Sequence, residues 1–261
     1  MNDTLSTVLL GIIEGITEFL PISSTGHLLI AEHWLGHRSE LFNVAIQSGA
    51  ILAVVAIYWQ RILDLATHLA RPEQRTEAGK LSLAFIVTAA GGLAAKRLGF
   101  TLPETVGPVA WALIVGGVLM LAIERWVARQ PERAEISWLA AFGIGAAQVL
   151  AAVFPGTSRS AATIFAAMLA GCTQRARAAE FAFLLGIPTM FAATGFELLK
   201  LRHAGGAAHE PMGQLALGFA VSAVVAFVSV RWLLGYIQTH RFTAFGWYRI
   251  AAGIVLLAFF S

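Results

Sequence analysis

The chain has 261 residues, of which 57% are hydrophobic and only 13% are charged, and its formal net charge is +3. This composition excludes an ordinary soluble domain, which needs a more strongly charged surface, and the small net charge argues against a nucleic-acid-binding surface. The single cysteine, Cys172, excludes an intrachain disulfide and a cysteine-based metal site.

The first apolar region, residues 5–36, is interrupted by the polar stretch Pro21-Ile22-Ser23-Ser24-Thr25-Gly26-His27. Each half of the region is too short to cross a bilayer by itself. Broken backbone at membrane depth is tolerated only where protein or a wet cavity satisfies its polar groups. We therefore predict a re-entrant helix-loop-helix hairpin here.

Three apolar segments follow, and then a second interrupted region, residues 137–170, is broken at Pro155-Gly156-Thr157-Ser158-Arg159-Ser160. This region predicts a second re-entrant hairpin, and three further apolar segments follow it. The six uninterrupted segments have about the length and apolarity of membrane-spanning helices. They are residues 41–59, 81–95, 108–124, 178–199, 212–234 and 246–260.

The two breaks resemble copies of each other. Aligning Pro21 with Pro155 places Glu14 over Gln148, Ser23 over Thr157 and Ser24 over Ser158. A hairpin followed by three spans in each half reverses the orientation of the second half, as in the inverted repeats of many transporters. We predict an all-α polytopic membrane protein, one membrane domain with six transmembrane helices and two re-entrant hairpins. Its inverted repeats are residues 1–126 and 137–261.

Basic residues between the spans indicate the orientation. Arginines and lysines are enriched in cytoplasmic loops, and they concentrate in three of the predicted loops. These residues are Arg61, Arg71, Arg75, Lys80, Arg125, Arg129, Arg133, Arg231 and Arg241. We therefore expect the first hairpin to enter from the outer side and the second from the cytoplasm, with their tips meeting inside.

Two carboxylates precede the first break. Glu14 and Glu18 are four residues apart, so they share one face of a helix. A pair facing water at a helix end is one interpretation. Because ionised carboxylates in the bilayer core are costly, the other is that both line a cavity, where they bind a hard cation or act as a base.

The polar loop after Pro21 has the composition of an anion site. Pro21 ends the first helix, and Ser23, Ser24 and Thr25 then stand where the next helix begins. Free N–H groups and hydroxyls at a helix N-terminus bind anions, although serine and threonine are also ordinary caps. His27 lies one turn beyond Ser24, close enough to exchange a proton with a hydroxyl or a phosphate oxygen.

The second break supplies a cation. Arg159 lies inside an apolar hairpin and needs an anionic partner, and its guanidinium group suits phosphate oxygens. Thr157, Ser158 and Ser160 add hydroxyls around a second helix N-terminus. Neutralisation of Arg159 by Glu14 or Glu18 is the alternative, and it also places these groups in one pocket.

Together these groups match phosphoryl transfer, in which positioning and charge neutralisation do most of the work. A site within the membrane favours a lipid phosphate as substrate. Transport of a lipid monophosphate by a flippase is the alternative, since inverted repeats with broken helices are typical of transporters. A flippase needs a phosphate-binding site but neither a nucleophile nor a base.

The stretch from Glu14 to His27 closely resembles the first signature of the bacitracin-resistance type undecaprenyl-diphosphatases, and Pro155 to Ser160 resembles their second. The resemblance implies hydrolysis of undecaprenyl diphosphate to the monophosphate, which recycles the lipid carrier for peptidoglycan synthesis and confers bacitracin resistance. It also implies a divalent cation (Mg²⁺ or Ca²⁺), a site open to the outer face of the bacterial cytoplasmic membrane, and a homodimer.

Carried over to this chain, the resemblance assigns metal binding to Glu14 and Glu18 and acid–base work to His27. Ser24 is the candidate nucleophile, with water attack assisted by His27 left open. The resemblance also assigns phosphate binding to Arg159 and Ser158 and a functional position to Thr25. The residues themselves, rather than the resemblance, add Ser23, Thr157 and Ser160 as substrate-binding hydroxyls. The chain departs from the family pattern at Asn43, Ala161 and Ala182, none of which has an assigned chemical role.

Overall fold

Every regular element is an α-helix in residues 3–100, 105–203 and 210–260, which are the residues described by this computed structural model. The helices are α1 Asp3–Thr17, α2 Ser24–Leu35, α3 Glu40–Ile57, α4 Trp59–Thr67, α5 Pro72–Arg97, α6 Val106–Val127, α7 Trp138–Val153, α8 Arg159–Leu169, α9 Arg175–His203, α10 Met212–Thr239 and α11 Thr243–Phe260.

Five of these helices are long and apolar enough to span a membrane, namely α3, α5, α6, α9 and α10. Four of the six predicted spans lie within α5, α6, α9 and α10. The fifth, 41–59, covers most of α3 but runs past its end into α4. The sixth, 246–260, lies in the shorter apolar helix α11. These observations confirm an all-helical polytopic membrane protein. The count of six spans plus two hairpins stays a prediction, as do the inverted repeats 1–126 and 137–261.

Polar contacts place the helix ends at two opposite ends of the bundle. At one end, Arg175 at the start of α9 binds Glu124 near the end of α6, and Arg61 of α4 binds Glu180. This end, which we call the basic end, also carries the loop between α10 and α11, because the Phe242 amide donates to Glu124. At the other end, Arg38 contacts Asp3 at the start of α1.

The two interrupted regions enter from these opposite ends. The first hairpin, α1 and α2, begins and finishes at the end that holds Asp3 and Arg38. The second hairpin, α7 and α8, is joined at its base on the basic end, where Thr173 donates to the Pro131 carbonyl and Gln174 donates to the Arg133 carbonyl. The tips of both hairpins therefore lie in the interior of the bundle.

Glycines allow several helices to approach closely. The helix α10 packs against both α1 and α3, α5 packs against α7, and α6 packs against α11. A Cβ atom added at Gly49 of α3 would lie 2.2 Å from the Phe219 carbonyl oxygen, and one added at Gly15 of α1 would lie 2.8 Å from the Ser222 carbonyl oxygen. Close backbone contact at small residues is a usual way for membrane helices to associate.

We expect Gly49→Ala to lower the thermal midpoint of the detergent-solubilised protein. The added methyl group meets backbone atoms that cannot rotate away, and overpacking of this kind costs about 1–3 kcal/mol. Gly92→Ala is the matched control, because no atom of the described residues lies within 4 Å of a Cβ atom added there. Alanine at that helical position should leave the midpoint unchanged or raise it. Equal midpoints for the two variants would contradict the packing assignment.

Candidate active site at the hairpin tips

Each hairpin turns at a serine with an unusual backbone. Ser23 has a φ of 75° and caps α2, where its side chain accepts from the Gly26 amide. Ser158 has a φ of 67° and caps α8, where its side chain accepts from the Ala161 amide. A non-glycine residue in this region costs about 1–3 kcal/mol and persists only where its surroundings hold it. By geometry Ser23 corresponds to Ser158, one residue away from the Ser23–Thr157 match of the sequence alignment.

The two tips are joined by polar contacts around Glu18. Ser24 Oγ donates to Glu18 Oε2 at 2.6 Å, and Arg159 Nη2 donates to Glu18 Oε1 at 2.9 Å. Both oxygens of this carboxylate are thus engaged, one by each hairpin. Ser160 Oγ donates to the Leu20 carbonyl and so ties the second tip to the first.

A cavity of about 270 Å³ lies at this junction. Six of the predicted site residues line it: Glu18, Ser23, Ser24, Thr25, Ser158 and Arg159. The sequence analysis did not predict four further polar residues on its wall, which are Gln47, Thr88, Gln148 and Thr189. The helices α2 and α8 both begin at this cavity. The free N–H groups of their first turns therefore add to the positive charge of Arg159. The cavity therefore suits an anionic group.

Glu14 lies in an adjoining cavity of about 260 Å³, which shares Ser24 and Thr25 with the first. Its Oε2 atom is buried and has no hydrogen-bond partner in the part of the chain that the structure describes, and the same holds for Gln148 Oε1. Unsatisfied oxygens of this kind are the ligands that hard divalent cations prefer. Among the described residues, however, no cluster of three or more His, Cys, Asp or Glu side chains could hold a metal alone. The donor set fits a cation that is also coordinated by oxygens of a bound ligand.

The imidazole of His27 lies one turn from Ser24 but contacts other groups. Its Nδ1 lies 2.7 Å from the Ser23 carbonyl oxygen and its Nε2 lies 2.6 Å from the Tyr248 hydroxyl. A carbonyl oxygen only accepts, so Nδ1 carries a proton, and in the neutral imidazole Nε2 then accepts from the Tyr248 hydroxyl. In this arrangement His27 supports the backbone of the strained Ser23.

The remaining predicted residues take positions behind the cavity. The hydroxyl of Ser160 is buried between the tips, where it contacts Ser158 Oγ as well as the Leu20 carbonyl. Thr157 lines a separate, mainly apolar cavity of about 280 Å³, on the wall that also includes Arg249. The structure thus brings six of the ten predicted residues into one cavity and places Glu14 in the adjoining one. It leaves His27, Thr157 and Ser160 around them.

Two residues of α11 that the sequence analysis missed contact the hairpin tips. Tyr248 binds His27, and Arg249 donates to the carbonyls of Pro21 and Thr157. Arg249 carried a signal, because a charged residue within an apolar span is usually functional. Gln148 could also have been found, because the alignment of the two breaks places it at the position of Glu14.

Comparison with known proteins gives consistent matches over nearly the whole chain. The family described as bacitracin resistance protein BacA matches residues 7–255. A protein of Rhizobium etli named undecaprenyl-diphosphatase is 59% identical over 255 residues, which cover 98% of this chain and 96% of the relative. One of the same name from Xanthomonas oryzae pv. oryzae is 54% identical over 257 residues, with coverage of 98% and 97%.

Proposed function

The chain belongs to the bacitracin resistance protein BacA family, and we propose that it hydrolyses undecaprenyl diphosphate in the cavity at the hairpin tips. The products are undecaprenyl phosphate and inorganic phosphate. It is a multi-pass membrane hydrolase with a membrane-embedded lipid substrate. The observation that carries the proposed site is the joint contact of Ser24 and Arg159 with Glu18. Transport of the monophosphate is not favoured, because it needs no serine–carboxylate pair.

In the proposed first step, Ser24 Oγ attacks the terminal phosphorus. Glu18, which already accepts the hydroxyl proton at 2.6 Å, takes that proton. The bond between the terminal phosphorus and the bridging oxygen breaks, and undecaprenyl phosphate leaves. In the second step a water oxygen attacks the phosphorus of the phosphoserine, and the bond between that phosphorus and Ser24 Oγ breaks. The proton on Glu18 returns to Ser24 Oγ, and both water protons leave with the phosphate as dihydrogen phosphate.

Charge on the transferred phosphoryl group is neutralised by both hairpins in this proposal. Arg159 is positioned by Glu18 and offers its remaining N–H groups to phosphate oxygens. The amides at the N-termini of α2 and α8, with the hydroxyls of Ser23, Thr25 and Ser158, surround the same cavity. Preorganised donors of this kind usually contribute more to the catalysis of phosphoryl transfer than any other group in the site.

A divalent cation, Mg²⁺ or Ca²⁺, is part of the proposal. Glu14 and Glu18 would hold it, because Glu14 Oε2 is buried without a partner among the described residues and the equally unpaired carbonyl oxygen Gln148 Oε1 is a further candidate ligand. Mg²⁺ is commonly bound by one or two carboxylates together with substrate phosphates. When bound, the cation would supply positive charge that polarises phosphoryl oxygens.

The proposed role of His27 differs between two routes of attack. In the serine route His27 holds the Ser23 carbonyl and thereby the backbone before Ser24. In the alternative route a water molecule attacks directly and His27 serves as general acid and base, as the resemblance implies. The hydrogen bond between Ser24 and Glu18 favours the serine route.

We further propose that the protein lies in the bacterial cytoplasmic membrane with its cavity open to the outer face. Two observations support this orientation. Arg61, Arg125 and Arg241 belong to the basic end, and such residues favour the cytoplasm. The cavity that holds Glu14 extends along α2 and α3 to Glu32, toward the opposite end. The homodimer rests on the resemblance alone, and mass measurement of the detergent complex tests it.

The proposed function is tested by phosphate release from undecaprenyl diphosphate in detergent micelles by the purified protein. We expect release that requires Mg²⁺ or Ca²⁺, because Glu14 Oε2 is buried without a hydrogen-bond partner among the described residues. A chelator should stop the reaction and excess cation should restore it. A monodisperse protein that releases no phosphate with either cation would refute the hydrolase. Release that is unchanged by the chelator would refute only the proposed requirement for a divalent cation.

A further inference from the structure

Arg249 of α11 is fully buried and directs all of its donors at backbone carbonyls. Its side chain is 0% exposed. Nη1 donates to the carbonyls of Pro21 and Thr157 at 3.3 and 3.0 Å, Nη2 to those of Gly156 and Ala112 at 3.2 and 3.0 Å, and Nε to that of Leu113 at 3.5 Å. The five N–H groups of one guanidinium therefore have five separate acceptors.

This charge has no carboxylate partner within the described part of the chain. The partly buried arginines Arg159 and Arg175 differ in this respect, since Arg159 pairs with the buried Glu18 and Arg175 pairs with the buried Glu124. Burying an ion is costly, and apolar replacements of buried ionic groups are often neutral or stabilising. Stability of the bundle is therefore a poor explanation for an arginine here, and its acceptors suggest a better one.

Three of the five acceptors belong to the hairpin tips and lie just before the two strained serines. The Pro21 carbonyl precedes Ser23 by two residues. The carbonyls of Gly156 and Thr157 precede Ser158 by two residues and by one. The two tips come from opposite ends of the bundle, so no continuous chain segment sets the distance between them. The contacts of Arg159 with Glu18 and of Ser160 with the Leu20 carbonyl join the tips through side chains, and the planar guanidinium of Arg249 adds a link between the two backbones. Its contacts with the Ala112 and Leu113 carbonyls anchor both tips to α6.

We infer that Arg249 is a positioning residue for the hydrolysis. It holds the N-termini of α2 and α8 at a fixed distance and orientation from each other, on either side of the bound phosphate. This inference rests on the proposed function. Arg249 is not itself catalytic, because it lines the apolar cavity behind Thr157 and not the cavity that holds Ser24 and Arg159. It binds the backbone carbonyls just before Ser23 and Ser158, and so it positions the helix N-termini and hydroxyls that bind the substrate.

The packing around the guanidinium offers a way to move it without removing its charge. A Cβ atom added at Gly116 of α6 would lie 2.3 Å from Arg249 Nη2 and 2.9 Å from its Cζ. Alanine at this position therefore forces the guanidinium group away from at least some of its acceptors. Arg249→Lys is the complementary change, which keeps a charge but offers three donors instead of a planar fork of five.

The experiment measures kcat and KM for phosphate release by wild type, Arg249→Lys and Gly116→Ala, using only the monodisperse fraction of each. We expect kcat to fall about 10- to 100-fold in both variants, because groups that act in the transition state lose their alignment. KM should change less than about threefold, since Arg159 and its charge are retained. Arg175→Lys is the control, because it weakens an arginine contact at the basic end, far from the hairpin tips.

The outcomes separate this inference from its alternatives. A folded Arg249→Lys or Gly116→Ala with kcat within twofold of wild type would overturn it. If neither variant folds, or if kcat per folded molecule returns to the wild-type value on cooling, Arg249 acts on stability and the inference is also overturned. An equal kcat loss in Arg175→Lys would do the same. Absence of release by the wild type would instead refute the proposed function.

Discussion

Replacing Arg159 with methionine is expected to lower kcat/KM for undecaprenyl diphosphate by about 10²- to 10⁴-fold. Two losses combine in this variant. The phosphate loses a guanidinium partner, and the carboxylate of Glu18, which is buried, loses the cation that binds it at 2.9 Å. Removing one partner of a buried ion pair commonly costs about 3–5 kcal/mol. Steady-state phosphate release together with a thermal midpoint for the same sample measures both effects.

The double variant Arg159→Met/Glu18→Gln separates stability from catalysis. It removes both charges, so the unpaired carboxylate disappears and the thermal midpoint should recover toward that of the wild type. Activity should not recover, because the phosphate-binding cation and the proposed base are both gone. Arg159→Lys should lie between wild type and Arg159→Met, since an ammonium group keeps the charge but not the planar geometry. Wild-type kcat/KM in Arg159→Met would refute the assignment of this site.

Much of the site could be predicted from sequence because the membrane makes polar residues conspicuous. Glu14, Glu18 and Arg159 lie in apolar regions, where each needs a partner or a wet cavity. Broken helices at membrane depth have the same requirement. These two constraints together predict that the polar residues of both breaks meet, and Arg159 does bind Glu18 across the two tips.

Other parts of the site depend on contacts that leave no local pattern. The contact between His27 and Tyr248 joins residues separated by 221 positions, and that between Arg249 and Pro21 joins residues separated by 228. The sequence indicated that His27 could reach Ser24, but not that α11 would occupy its second nitrogen. The sequence alignment matched Ser23 with Thr157, whereas the backbone geometry matches Ser23 with Ser158. This difference of one residue could not be predicted, because a positive φ at serine has no sequence signature.

Ser24→Ala is expected to reduce kcat by about 10³-fold or more while leaving KM nearly unchanged. Its hydroxyl donates to Glu18 at 2.6 Å and lines the cavity, whereas neither ring nitrogen of His27 is free to activate a water molecule in this arrangement. If Ser24 is the nucleophile, the terminal phosphate becomes covalently attached to the protein during turnover. Acid quenching of wild type with substrate labelled in that phosphate should therefore leave label on Ser24.

Ser23→Gly is the matched comparison for this test, because it removes the neighbouring hydroxyl and glycine tolerates the φ of 75° without strain. This variant should still form the labelled phosphoserine and should lose less activity than Ser24→Ala. Label that persists in Ser24→Ala would point to another nucleophile. Loss of less than about tenfold in Ser24→Ala, with no label in the wild type, would favour direct attack by water. In that case His27 has to exchange its contact with Tyr248 for one with the attacking water, and His27→Ala, rather than Ser24→Ala, should then abolish turnover.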